Sequence, residues 1–248
     1  MAQQFPASQG ARIGNARATV MIDTRPHFLN PFLSPDIKPP LDDEWAAKRE
    51  LAELIRKLTA TLVTTTSDAA TLRAAAASLR EQLAALDRAP QLAGRKAFEQ
   101  ADGGRYGDWR SLSYELSPLD GKSNPLAAPL ITWVDGDSGH GRATLGWAYE
   151  GPPGSVHGGH VCALFDHFLG IAQIMTGQPG VTGSLNVRFH LPTPLNTELE
   201  LLGHVKEVRG RNNILTGEIR ANGVLTASCE GVFVHISSER FLQLRESV

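Results

Sequence analysis

The stretch "GPPGSVHGGHVCALFDHFLGIA", Gly151 to Ala172, reads as a tight turn followed by an apolar helix with one carboxylate, Asp166, set in its middle. Val161, Ala163, Leu164, Phe165, Phe168, Leu169, Ile171 and Ala172 place apolar groups on nearly every face, the pattern of a helix wrapped by other structure. A charge in such surroundings is costly unless it is paired or functional, so Asp166 either finds a narrow strip of water or is a working acid. The neighbouring His167 and the small residues around it favour the first reading, and the apolar wrap favours the second. Ahead of the helix, "PPGSVHGGH" supplies two prolines and three glycines. Backbone N–H groups near Gly158 and Gly159 are then left bare at a positive helix end, a place for an oxyanion, unless the glycines merely make the turn. His157 and His160 have no evident third partner at a metal-ligand spacing, so no metal is expected. The chain has no G-x-S-x-G elbow to support a nucleophilic serine.

The rest of the composition is that of an ordinary globular protein: 248 residues, 42% hydrophobic and 20% charged, with a formal charge of -2. That balance gives no general attraction to nucleic acid or anionic membrane, so an anionic ligand must meet a local basic patch. The two cysteines, Cys162 in the apolar run and Cys229 in a strand-like segment, read as buried reduced thiols, in keeping with a cytoplasmic protein. The first residues lack the apolar core of a signal peptide and no run reaches the length of a membrane span.

Along the chain, residues 1–41 read as an irregular arm, with "NPFLSPDIKPP" (Asn30 to Pro40) forbidding helix. Residues 42–89 follow as a helical segment, in which Leu51, Ile55, Leu58 and Leu62, then Leu72, Ala76, Leu79, Leu83 and Leu86, recur at steps of four and three. "TTTSD" (Thr64 to Asp68) favours a cap and turn and hence a helical hairpin, while the unbroken rhythm through Thr65 and Ala69 suits one long coiled-coil helix. After a connection at 90–116, short runs suited to strands span Ile131 to Val134, Arg142 to Tyr149, Val181 to Leu191, Glu198 to Val208, Asn213 to Ala221 and Val224 to Ile236. "RGRN" (Arg209 to Asn212) and "ANG" (Ala221 to Gly223) mark hairpin turns. A core at 117–238 and a tail at 239–248 complete the division.

"GPPGSVHGGHVCALFDHFLG" followed by "TGSLNVRFHLPTPLNTELELLGHV" resembles the hotdog-fold acyl-CoA thioesterases of the PaaI-like type, over roughly Ser117 to Ile236. The resemblance implies an α+β fold in which a long central helix is wrapped by a curved antiparallel sheet, and a homodimer or homotetramer whose acid reaches the thioester across an interface. It implies Asp166 as base or nucleophile, Gly158 as main oxyanion donor with Gly159 beside it, Thr182 positioning water, and His157 shaping the site. No cofactor is implied. For the phosphates of the acyl-CoA substrate the local cations are Arg188, Lys206, Arg209, Arg211 and Arg220, with Asn186 as a further polar contact. A hotdog hydratase or dehydratase, and a non-catalytic acyl-CoA-binding or assembly module, are the competing readings. In the first, an acid pairs with a histidine at a spacing other than that of "DHFLGIA", where the histidine directly follows the acid and its ring leaves the helix about 100° away, which disfavours that reading.

Overall fold

The computed structural model describes residues 43–94, 97, 112, 115–237 and 243. The expected N-terminal arm and most of the connection and tail lie outside the described residues. Two helices come first, α1 (Asp43–Leu62) and α2 (Ala69–Asp87). They are separate helices rather than one long one, because the Asp68 side chain accepts a hydrogen bond from the Thr71 N–H at 2.8 Å and starts α2 afresh.

Strands β1 (Leu130–Asp135) and β2 (Ser138–Thr144) form a hairpin, a 3-10 turn follows at Trp147–Tyr149, and the central helix α3 runs over Gly158–Ala172. Then come β3 (Gly180–Phe189), β4 (Glu198–Arg209), β5 (Asn212–Ala221) and β6 (Val224–His235). The six strands make one antiparallel sheet in the order β1-β2-β4-β5-β6-β3, and α3 lies against all of them. This is the hotdog arrangement. The two expected turns close β4 onto β5 and β5 onto β6; Gly210 has φ +59, and Asn222 and Gly223 have φ 51 and 77, as a tight hairpin between right-twisted strands requires.

The second strand departs from the expected Arg142 to Tyr149. It begins at Ser138 and ends at Thr144, and Trp147–Tyr149 is helical instead. "SGHG" lacks the apolar alternation of a strand because its inward positions are glycines pressed against α3. A Cβ on Gly139 would lie 2.7 Å from the Ala172 Cβ. Gly139 pairs with Gly203 of β4, which pairs with Gly217 of β5, so a row of glycines crosses three strands beneath the helix. Over that row lie Phe165, Phe168, Leu169 and Ala172, each at most 1% exposed. Each large side chain buried there stabilises the fold by about 1.5–3 kcal/mol.

Helix α1 docks on this body through a face unlike the one its leucines suggest. Trp45 and Ala52 are buried, the Arg49 guanidinium forks onto Glu115, and the Arg56 Nη1 donates to the Asn124 carbonyl at 2.9 Å. Glu115 is fully buried and also accepts from the Ser123 hydroxyl at 2.6 Å. Trp45, Arg49, Ala52 and Arg56 share a stripe about 120° around the helix from Leu51, Ile55, Leu58 and Leu62. Those four apolar residues, with Leu72, Leu79, Leu83 and Leu86 of α2, stay 38–60% exposed, and no residue of α2 is buried. Among the described residues no helix is long and apolar enough to cross a membrane.

Two outcomes follow from this packing. Arg49→Met strands the buried Glu115 carboxylate and is expected to lower stability by about 3–5 kcal/mol in chemical denaturation, with part of the loss regained when Glu115→Leu is added. A double variant as unstable as the single one would contradict the pairing. Cys229 is buried, and burial pushes its thiol up to about 11, so in the native protein it is expected to resist thiol reagents at pH 8 until the chain unfolds. Titration of both cysteines in the native state would contradict that.

Candidate active site

The start of α3 is shaped by its own N-cap. His157 Nδ1 accepts the Gly159 N–H at 3.0 Å, and the His157 N–H donates to the Tyr149 carbonyl at 2.9 Å. The ring nitrogen can accept only when unprotonated, which puts the His157 proton on Nε2. Gly159, expected beside Gly158 as an oxyanion donor, therefore has its hydrogen engaged, while the Gly158 N–H has no acceptor among the described residues. The Tyr149 ring meets His160 edge-on with centroids 4.9 Å apart. Burial, and then the neighbouring His157, hold the His160 pKa below the ordinary imidazole value. The two histidine rings lie 6.3 Å apart, and no three His, Cys, Asp or Glu side chains gather as metal ligands among the described residues.

Asp166 sits on the side of α3 that the sheet does not cover. Its neighbours on that side are Gly159, Ala163 and Gly170, so the apolar wrap seen in the sequence has a gap of small residues, and the carboxylate is exposed in the single chain. The Thr182 hydroxyl donates to Asp166 Oδ1 at 2.7 Å. This pair depends on a β-bulge. Leu185 and Val187 pack toward the core, and Phe189 lies over Gly158, so the odd-numbered residues of β3 face the helix. Thr182 has the opposite parity. The register of β3 against β6 slips between Thr182 and Ser184, and the extra residue, Gly183, turns Thr182 back toward α3.

The same alternation separates the other expected residues from the acid. Asn186 and Arg188 are exposed and point away from the helix, opposite Glu230 and Ser228 on β6. Arg209 is forked onto Glu207 at 3.0 and 2.8 Å, Arg220 holds Glu218 at 2.7 Å and Lys206 holds Glu230 at 2.5 Å. Arg188 and Arg211 have no acidic partner among the described residues, which leaves them as the cations with charge to offer.

Three features of the neighbourhood were not read from the sequence. His167 Nε2 lies 2.9 Å from Asp120 Oδ2, a residue 8% exposed in the loop before β1, so the ring beside Asp166 is turned onto that loop. Arg49 and Glu115 could have been noticed only as charges in otherwise unremarkable segments. Gln173, at the end of α3, is 1% exposed, and the single hint is a polar residue closing an apolar helix.

The chain is similar to several known proteins. A family model of the thioesterase superfamily matches residues 153–227, from the turn before α3 into β6. A bovine acyl-coenzyme A thioesterase, THEM4, is 28% identical over 93 residues, 37% of this chain and 38% of that protein, so the match spans well under half of the curated relative. The PaaI protein of the E. coli phenylacetic acid degradation operon is 18% identical, with TM-score 0.42 over 44% of this chain and 81% of its own. A thioesterase superfamily protein of known crystal structure is 34% identical with TM-score 0.66, over 79% of this chain and 93% of its own. Residues 117–248 make up little more than half of the chain, so that likeness extends into the N-terminal helical region. On a shared fold and an identity sustained along nearly the whole of that protein, the chain belongs to the thioesterase superfamily.

Proposed function

We propose that the protein is an acyl-CoA thioesterase, hydrolysing an acyl thioester to the free acid and CoA. The observation that carries this reading is the Thr182–Asp166 hydrogen bond on a helix whose first N–H, that of Gly158, has no acceptor among the described residues. Thr182 occupies Oδ1 and leaves Oδ2 of Asp166 to take a proton from water. The water oxygen attacks the thioester carbonyl, Gly158 donates to the developing oxyanion, and the tetrahedral intermediate expels CoA thiolate, which recovers the proton. His167, drawn onto Asp120, is not placed to act with Asp166, which speaks against an acid–histidine hydratase. An acid held by a dedicated hydroxyl speaks against a purely structural module.

One chain does not complete this site. Gly158 and Asp166 are eight residues apart on α3, about 12 Å along the axis, too far to serve one carbonyl group. Strand β3 is a sheet edge with Val181 and Phe189 41% and 53% exposed. Pairing two such edges removes the unpaired strand, covers the small-residue side of α3 and lets the donor of one chain meet the acid of another. The working unit is therefore at least a homodimer.

Release of free thiol from an acyl-CoA panel, run beside an enoyl-CoA hydration assay, tests the reaction. Asp166→Asn is expected to lower kcat by about 100- to 10,000-fold with folding intact, and Thr182→Ala by about 10- to 100-fold. Near wild-type thiol release by Asp166→Asn would sink the assignment, and equal losses at both positions would merge the two roles. The shared site has its own test. Gly158→Pro deletes the N–H at a first helical position where proline is tolerated, and His157, with φ -59 and ψ 133, already has the backbone that precedes a proline. Each of Gly158→Pro and Asp166→Asn is expected to be nearly inactive alone. Subunits mixed after unfolding and refolding are expected to recover about a quarter of the activity, because half of the dimers then hold one intact site. No recovery, or an active 26.7 kDa monomer in light scattering, would place the whole site in one chain.

A further inference from the structure

Gln173 uses its full hydrogen-bonding capacity while 1% exposed. Its Nε2 donates to the Gly170 carbonyl at 3.1 Å and to the Gly180 carbonyl at 2.9 Å. Its Oε1 accepts the Gly180 N–H at 2.8 Å and the Asn213 Nδ2 at 3.4 Å. Gly180 is the first residue of β3 and lies opposite His235 of β6, so the amide of Gln173 acts as a one-residue strand on the open side of the edge. A Cβ at Gly180 would come 2.1 Å from the Val234 carbonyl oxygen, which requires glycine there. The amide is itself held: Asn213, fully buried, donates to the Gln178 carbonyl at 2.7 Å, and Gln178 Nε2 returns a bond to Asn213 Oδ1 at 3.1 Å.

Gln173 is the C-cap of α3, seven residues after Asp166, and two helical turns bring the two positions within about 20° of one another. Both reach β3, Asp166 at Thr182 and Gln173 at Gly180. Gly180 and Thr182 share the parity that the slip at Gly183 reverses for the rest of the strand. Packing alone would be met by an apolar side chain, without burying an amide that then needs four partners. We propose that Gln173 is a positioning residue, which fixes the start of β3 so that the bulge delivers the Thr182 hydroxyl to Asp166. The proposal rests on the thioesterase reading for its catalytic consequence and on geometry alone for its structural one.

The test is a double-mutant cycle with a crystal structure. Gln173→Met, of similar length, is expected to lower kcat about tenfold with KM within about twofold, and to cost less than about twofold more when Thr182→Ala is already present. Equal losses in both backgrounds would mean that Gln173 does not act through Thr182, and would overturn the proposal. The crystal structure of Gln173→Met is expected to show Thr182 withdrawn from Asp166. A hydrogen bond still at the wild-type distance would overturn the proposal whatever the enzyme hydrolyses. A withdrawn Thr182 in a protein that cleaves no acyl-CoA would instead uphold the positioning and remove the thioesterase reading. If Gln173→Met does not fold, Gln173→Glu keeps the shape and the acceptor for the Gly180 N–H, loses the donation to the Gly180 carbonyl, and enters the same cycle and the same structure determination.

Discussion

The close approach of α3 to the sheet is the constraint from which the rest of the molecule follows. Gly139, Gly203 and Gly217 leave a shallow track across β2, β4 and β5, and Phe165, Phe168, Leu169 and Ala172 settle into it. A side chain at any of these glycines would meet the helix at about or below van der Waals contact; at Gly203 the nearest Phe168 ring carbon would be 2.9 Å away. Because interiors are packed like crystals, a helix lifted off the track would lose dispersion contacts along its length and not only at one residue. The seating also fixes rotation. With its bulky side on the sheet, α3 has to present Gly159, Ala163, Asp166 and Gly170 outward, so the acid owes its exposure to the residues on the opposite side of the helix.

Rotation of the helix alone would leave Asp166 without its partner, since plain strand alternation points Thr182 away. One extra residue at Gly183 corrects the parity. A bulge leaves its extra residue unpaired and interrupts the ladder, and among the described strands β3 is an edge with a neighbour on one side only. The amide bonds at Gly180 meet that weakness at the point where it matters, two residues before Thr182. Helix and strand are thus held together at both ends of a short span, by a carboxylate–hydroxyl bond and by a buried amide.

The N-terminal helices divide into a docked part and an undocked one. The first half of α1 belongs to the hotdog body through Trp45 and through the Arg49–Glu115 pair, whose burial makes either member costly to remove alone. Arg56 ties α1 to the loop carrying Asp120, and Asp120 meets His167 on α3. The loop is therefore a physical link between the N-terminal helix and the helix of the acid. The apolar stripe of α1 and all of α2 have no such cover among the described residues.

Several elements were legible in the residues because their cause is local. The turns at Gly210 and at Asn222–Gly223, the Asp68 cap, the apolar run of α3 and the acid within it all follow from backbone preference, capping chemistry or period, and the motif around His157 and Asp166 was enough to suggest the family. What depends on distant atoms was not legible. "SGHG" hides a strand because glycine is demanded by a helix some thirty residues on. The slip at Gly183 exists only against β6, and the docking face of α1 only against Glu115; the His157 cap on Gly159 is local, but histidine is not among the usual capping residues. Sequence by itself determined both N-terminal helices, the central helix, the β4 to β6 meander with its turns, and which acid is out of place, since those are set by each residue and its near neighbours. Which way each one faces, and what it meets there, was decided by tertiary packing, because parity, rotation and burial are properties of two surfaces in contact.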